Sequence, residues 1–241
     1  MIPWETVDRA RAPDGAELVL ARRGDEWAVR ASGHVLMTSR AHGSEVALAA
    51  EALKRVKTRR EVLVGGIGLG FTLRAALDRL PRGARVVVAE LVPALVAWNR
   101  GPLAHLAGRP LDDPRVRLAE GDVHARITAD AGAFDVILLD VDNGPAALAH
   151  PANDRLYGEA GVRACHAALR PGGALAVWSA GEDPRYLARL ERAGFAAETI
   201  AAPARGAAGG ARHTVIVGVR DAGDQRPRRG SRAGGAARSS S

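Results

Sequence analysis

"EVLVGGIGLGFTLRAAL", Glu61–Leu77, joins an apolar run to a helical pattern through a turn holding three alternating glycines. Val62, Leu63 and Val64 read as a short buried strand, and helix-spaced apolar residues follow from Thr72. Gly66, Gly68 and Gly70 fall between the two. A backbone without side chains at that place lets a ligand lie against it and face the N-terminus of the next helix. The dinucleotide fingerprint G-x-G-x-x-G requires a third glycine three residues on. Counted from Gly66 that position is Phe71, and counted from Gly68 it is Leu73. The spacing argues against an NAD-dependent oxidoreductase and suits a mononucleoside ligand.

Beyond the turn, strand and helix patterns alternate. "ARVVVAEL", "PRVRLAEGD", "FDVILLDVD" and "ALAVWSA" read as strands. "PALVAWNR", "VHARITAD", "NDRLYGEAGVRACHAALR" and "PRYLARLERAG" read as the helices between and after them, the third stopped by Pro171-Gly172-Gly173. "FAAETIAA" and "RHTVIVGVR", joined by "PARGAAGGA", form an expected closing hairpin. Continuous apolar strands alternating with helices predict an α/β fold, a doubly wound, Rossmann-like, mostly parallel sheet covered on both faces. Ahead of it, Gly15 to Ser39 alternates apolar and polar residues between turn signals, which predicts a small antiparallel β meander of two or three strands. "SEVALAAEALKRV" follows as a helix with Ser44 as its expected cap. The expected organisation is a meander and lead-in over 1–45, a nucleoside-binding α/β domain over 46–220, and a disordered basic tail over 221–241.

Composition bounds the function. At 241 residues, 47% hydrophobic and 25% charged, the chain has enough material for one full core and the balance of a soluble globular protein. No apolar run is long enough to cross a bilayer, and the first residues carry Glu5 and Asp8 instead of an apolar signal core, so a cytoplasmic location is expected. Cys165 is the single cysteine, which excludes a disulfide framework and any multi-cysteine metal site; a buried helix position is expected for it. His34, His42, His124, His150 and His166 lack metal-ligand spacing, so no metal is assigned. The net charge of +7 comes largely from arginine and partly from the tail, where five Arg stand against two Asp. A solvated end, with at most weak nucleic-acid contacts, is the expectation for that segment.

Ligand crevices in doubly wound sheets lie beyond the carboxyl ends of the strands. Glu90 ends the second strand with Leu91 beside it, where a carboxylate can accept hydrogen bonds from both ribose hydroxyls. Asp122 follows the third strand, beside Val123, where it can read an adenine amino group or simply cap the next helix. Asp140 ends the fourth strand, with Asp142 two residues on, in a turn-prone "DNGP". With Glu45 and Asp154 these acids would focus negative potential on a cationic ligand, such as an amine or a sulfonium. Tyr157 and Trp178 can wall the pocket or belong to the core.

With those residues placed, the chain resembles the spermidine synthase-like (polyamine aminopropyltransferase-like) branch of the class I S-adenosylmethionine-dependent transferase fold, from the meander through Ala180. "VLVGGIGLGFTLRAAL" resembles its glycine loop with the T-L-R that follows, and "VVVAELVPALV" its V-x-x-V-E-x-D-P-x-V. "DPRVRLAEGDVHARI" is similar to its D-P-R-V-x-x-x-x-G-D-[AG], "FDVILLDVDNGPAAL" to its Y-D-V-I-x-x-D-S-S-D-P-x-G-P-A, and "LRPGGALAVWS" to its L-x-P-G-G. The resemblance implies binding of S-adenosylmethionine or its decarboxylated form, without metal, and transfer of an aminopropyl group to a small-molecule amine. It implies catalysis by Asp140, with Asp142 matching the second carboxylate approximately, and homodimer contacts through the meander. Its D-E-x-x-Y-H-E shortens here to "RAHGSE", in which Glu45 survives and Gly43 replaces the tyrosine. Leu69 stands where the family holds an aspartate beside the aminopropyl group, which removes one charge partner for an ammonium and leaves authentic spermidine synthesis open. Two alternatives stand beside aminopropyl transfer: an S-adenosylmethionine-dependent methyltransferase, and a non-catalytic binding or assembly module.

Overall fold

A computed structural model describes residues 2–129, 131–141, 144–145 and 155–223. Asp142, His150, Asp154 and all but the first three residues of the expected tail lie outside the described residues. Strands β1 (Glu5–Arg11), β2 (Glu17–Arg23), β3 (Glu26–Ala31) and β4 (His34–Thr38) make an antiparallel meander in sequence order. It has four strands where the sequence suggests two or three. The extra strand, ETVDRAR, is almost wholly exposed, so no apolar alternation marks it. Backbone pairing with β2 holds it, and Trp98 Nε1 donates to Asp8 Oδ2 at 2.7 Å from the neighbouring layer.

Helix α1 (Gly43–Lys54) begins one residue earlier than its expected cap, with His42 at the cap position and no side-chain capping bond. Ser44 is therefore not a cap. It sits inside the first turn, fully buried, with its hydroxyl engaged by tertiary partners.

The main sheet has seven strands: β5 (Glu61–Gly65), β6 (Arg85–Glu90), β7 (Val116–Glu120), β8 (Phe134–Leu139), β9 (Leu169–Ser179), β10 (Phe195–Pro203) and β11 (Arg212–Arg220). Their order is β10-β11-β9-β8-β5-β6-β7. The strands β5 to β9 are parallel, and the β10–β11 hairpin closes one edge antiparallel to β9. From β5 the chain steps outward to β6 and β7, then returns to β8 on the other side. The topological switch point thus lies between the carboxyl ends of β5 and β8.

Alternating residues of each central strand enter two apolar layers. Val62, Val64, Val86, Val88, Val136 and Leu138 join the layer with α1, α2 (Phe71–Leu77), α3 (Pro93–Arg100) and the inner face of the meander. Leu63, Ala89, Ile137, Leu139, Leu175 and Val177 join the layer with α4 (Val123–Ala129), α5 (Glu159–Ala168) and α6 (Pro184–Arg192). Burial on both faces is why these strands read as unbroken apolar runs, each Val or Leu contributing roughly 1.5–3 kcal/mol. The helix before β9 stops at Ala168, short of the predicted Arg170, because Leu169 already pairs with Phe134. Pro171-Gly172-Gly173 lies within the strand, beside a register shift between Phe134 and Val136. No described helix is long and apolar enough to cross a membrane.

One buried charge pins the amino ends of the central strands. Asp135, 3% exposed, accepts from the backbone N–H of Arg60 (2.8 Å) and Glu61 (3.0 Å) and from Arg170 Nη1 (3.0 Å). Removing it strands two N–H groups and a guanidinium, so Asp135→Ala is expected to destabilise the fold by about 2–4 kcal/mol. The check is a lower urea midpoint with little change in slope.

Candidate active site

The turn Gly66–Gly70 leaves β5 at the switch point, and all three of its glycines hold positive φ. Gly66 (φ 79°) is the tightest: a Cβ there would stand 2.5 Å from the carbonyl oxygen of Asp140. Only glycine lets β5 and β8 close to this distance at their tips. Between the glycines, Ile67 and Leu69 turn inward as part of the first apolar layer, so the outer surface of the turn is backbone. Glu90, 4% exposed at the end of β6, fastens the turn. Its Oε2 accepts from Ile67 N at 2.8 Å and its Oε1 from Val92 N at 2.7 Å.

Across the switch point, Asp140 is half-buried directly after β8. Thr72 Oγ1, in the first turn of α2, donates to Asp140 Oδ2 at 2.6 Å. Burial pushes the Asp140 carboxyl up to about 6 despite that bond, which pulls the other way. Glu45, in the first turn of α1, is pushed up to about 7, first by burial and then by the charge of Asp140. Ser44 Oγ lies 2.7 Å from Glu45 Oε2. A carboxyl on a helix and one at a strand tip are thus brought close in a partly dry site, where the charge of Asp140 makes Glu45 harder to ionise. A cation placed between them would relieve both.

The chain is 36% identical over 122 residues to Polyamine aminopropyltransferase 2 of Pseudomonas aeruginosa, a match covering 49% of this chain and 33% of that one. It is 37% identical over 120 residues to the Polyamine aminopropyltransferase of Nitrosomonas europaea, covering 49% and 34%. The matched region spans about a third of the length of these curated relatives. A crystal structure of spermidine synthase with the transition-state analogue AdoDATO superposes at a TM-score of 0.74 and 18% identity, over 90% of this chain and 74% of that one. Spermidine synthase from Thermotoga maritima superposes at 0.72, again at 18% identity, over the same shares. No protein-family profile matches the chain. Over the matched region the chain is similar to polyamine aminopropyltransferases, and its fold is that of the spermidine synthase structures.

The remaining sequence-predicted residues take varied places in the fold. Asp122 stands at the tip of β7, but its Oδ1 accepts from His124 N (2.8 Å) as the cap of α4 and its Oδ2 lies 3.5 Å from Arg155 Nη2. Val123 is turned into the second apolar layer, while Leu91 is 52% exposed at the tip of β6. Tyr157 is fully enclosed, and its hydroxyl donates to the carbonyl of Val141 at 3.0 Å; it anchors the segment after Asp140 from within the core. Trp178, at the end of β9, is half-buried, and its buried indole N–H has no partner among the described residues.

Sequence reading missed three polar residues of this candidate site. Thr72 follows the last glycine by two residues at the start of a helix, a position that could have flagged it. Ser44 reads as a cap. His213 Nδ1 lies 3.0 Å from Ser44 Oγ across 169 residues of sequence, and no local pattern announces such a contact. Among the described residues no cluster of His, Cys, Asp and Glu could hold a metal.

Proposed function

We propose that the chain transfers an aminopropyl group from decarboxylated S-adenosylmethionine to a cationic small-molecule amine. The observation that carries this reading is the Glu45–Asp140 pair: Asp140 follows β8 hard against Gly66, and its charge raises Glu45. The aminopropyltransferase relatives and a spermidine synthase neighbour bound to AdoDATO support it. The residues fit an adenosyl sulfonium. Gly66 leaves the turn bare for the nucleoside, Glu90 stands at the β6 tip to accept from ribose hydroxyls, and Asp140 faces the sulfonium charge from β8.

The amine arrives as an ammonium and is held between Glu45 and Asp140. Asp140, with its proton affinity raised towards neutrality, takes a proton from it, and Thr72 keeps the accepting carboxylate oriented. The neutral nitrogen then forms a bond to the carbon beside sulfur. The carbon–sulfur bond breaks with its electron pair going to sulfur, and the sulfonium becomes a neutral thioether. Positioning supplies most of the rate. The proton taken by Asp140 leaves to solvent when the product departs.

Leu69, 5% exposed within the apolar layer, contributes no charge, so the ammonium partners are Glu45 and Asp140. The carboxylate of S-adenosylmethionine itself would stand against the same two acids. Calorimetry on the purified protein is expected to show at least about tenfold tighter binding of the decarboxylated form, about 1.4 kcal/mol. Tighter binding of the form that keeps its carboxylate would replace aminopropyl transfer with methyl transfer.

A further inference from the structure

The first turn of α1 is docked on the β10–β11 connection. Gly43 N donates to the carbonyl of Ala204 at 2.7 Å, and a Cβ on Gly43 would stand 2.1 Å from Gly206 N. This close approach of backbones brings Ser44 up against β11. There His213, half-buried, packs edge-on against Trp178 with ring centroids 4.8 Å apart, and its Nδ1 lies 3.0 Å from Ser44 Oγ. Ser44 is fully buried, with the same oxygen 2.7 Å from Glu45 Oε2. A serine hydroxyl has one proton to give. If it goes to Glu45, the imidazole must donate from Nδ1; if the ring carries its proton on Nε2, the hydroxyl turns away from Glu45.

We infer that His213 is a positioning residue which, through Ser44, aims the Glu45 carboxylate at the amine. The inference rests on the amine-site reading of Glu45 given above. His213 in its Nδ1–H form donates to Ser44 Oγ, and Ser44 is thereby committed to donate to Glu45 Oε2. Glu45 is fixed in one rotamer by Ser44 and by its own backbone N–H, and the lone pairs that these two donors leave are offered to the ammonium. Desolvation lowers the proton affinity of His213, so the ring is neutral at the working pH and its tautomer is set by Ser44. The edge-on contact with Trp178 limits rotation of the imidazole.

Two measurements on the full chain test this. In nitrogen-15 NMR at pH 8, wild-type His213 is expected as the Nδ1–H tautomer, and Ser44→Ala is expected to return it to the Nε2–H form that free imidazole side chains favour. In steady-state kinetics with a diamine acceptor, His213→Ala and Ser44→Ala are each expected to raise KM for the amine about tenfold with kcat little changed. The double variant should be no worse than either single one, and His213→Asn should recover most of the loss because its amide N–H can occupy the Nδ1 position. An Nε2–H ring in the wild type, or additive losses in the double variant, overturns the inference. A wild-type protein that transfers to no amine, yet shows the Nδ1–H tautomer lost in Ser44→Ala, overturns the amine-site reading and leaves the hydrogen-bond chain standing. Melting curves separate a misfolded variant from a mispositioned one, and the tautomer measurement needs no variant at His213.

Discussion

Asp140→Asn is expected to cut turnover by about 10²–10⁴-fold while making the protein more stable above pH 7. The two effects share one cause. Asp140 has its carboxyl raised to about 6 in the fold, against roughly 3.9 in an unfolded chain. A carboxyl with a raised folded value is easier to ionise when unfolded, so stability falls as pH rises from about 4 to about 6 and the deficit persists above that. Two units correspond to about 3 kcal/mol as a ceiling. Half-burial of Asp140 and its coupling to Glu45 reduce the expected gain of the variant to about 1–2 kcal/mol, or a few degrees in melting temperature. Asparagine keeps an acceptor for Thr72 Oγ1, so the local geometry survives. It also removes the charge that raises Glu45, whose proton affinity should fall towards the ordinary range. Thermal melts at pH 5 and pH 8 beside initial rates provide the check. Full activity would dismiss Asp140 as the proton acceptor, and a lower melting temperature at pH 8 would show that its charge is satisfied in the fold.

The parts of this molecule written as local patterns are visible in the sequence. The six residues of β8 are all buried and read as one apolar run because both faces of the sheet are covered. Gly66 is legible because its role is the lack of a side chain, and the carboxylates at the strand tips are legible because a parallel sheet fixes where its strands end. What sequence conceals is which partner a polar group finds. Asp122 reads first as an adenine contact and second as a cap, and the fold gives its Oδ1 to the cap. Ser44 reads locally as an N-cap and is instead drawn into the first turn of α1, where Gly43 presses against Gly206 on a hairpin more than 150 residues away. His213 lies on a strand whose alternation explains its neighbours without it. The strand β1 is invisible for a related reason: its stabilisation is backbone pairing, which leaves no trace in side-chain periodicity.

Glu90→Gln is expected to weaken binding of the adenosyl sulfonium at least about 100-fold and to destabilise the fold by about 2–4 kcal/mol. Both oxygens of Glu90 accept from backbone N–H groups, Ile67 on one side and Val92 on the other. Glutamine offers one oxygen and one NH₂, so whichever way the amide turns, a donor faces a donor. Ile67 is 1% exposed, and its N–H cannot exchange the lost acceptor for bulk water. The glycine turn loses its tether to β6, and the backbone proposed to carry the nucleoside is no longer held. Ribose recognition is the second component, since a carboxylate has about four acceptor sites and can serve backbone and hydroxyls together. A 2′-deoxy form of the ligand separates the two components. Wild-type protein should bind it less well than the ribose form, whereas Glu90→Gln should bind both forms equally weakly. Calorimetry with the two ligands on the two proteins closes the cycle. If the variant still discriminates against the deoxy ligand as strongly as the wild type does, Glu90 does not touch the ribose and serves the turn alone. If the variant binds the ribose form at wild-type strength, neither role holds and the nucleoside does not lie on this turn.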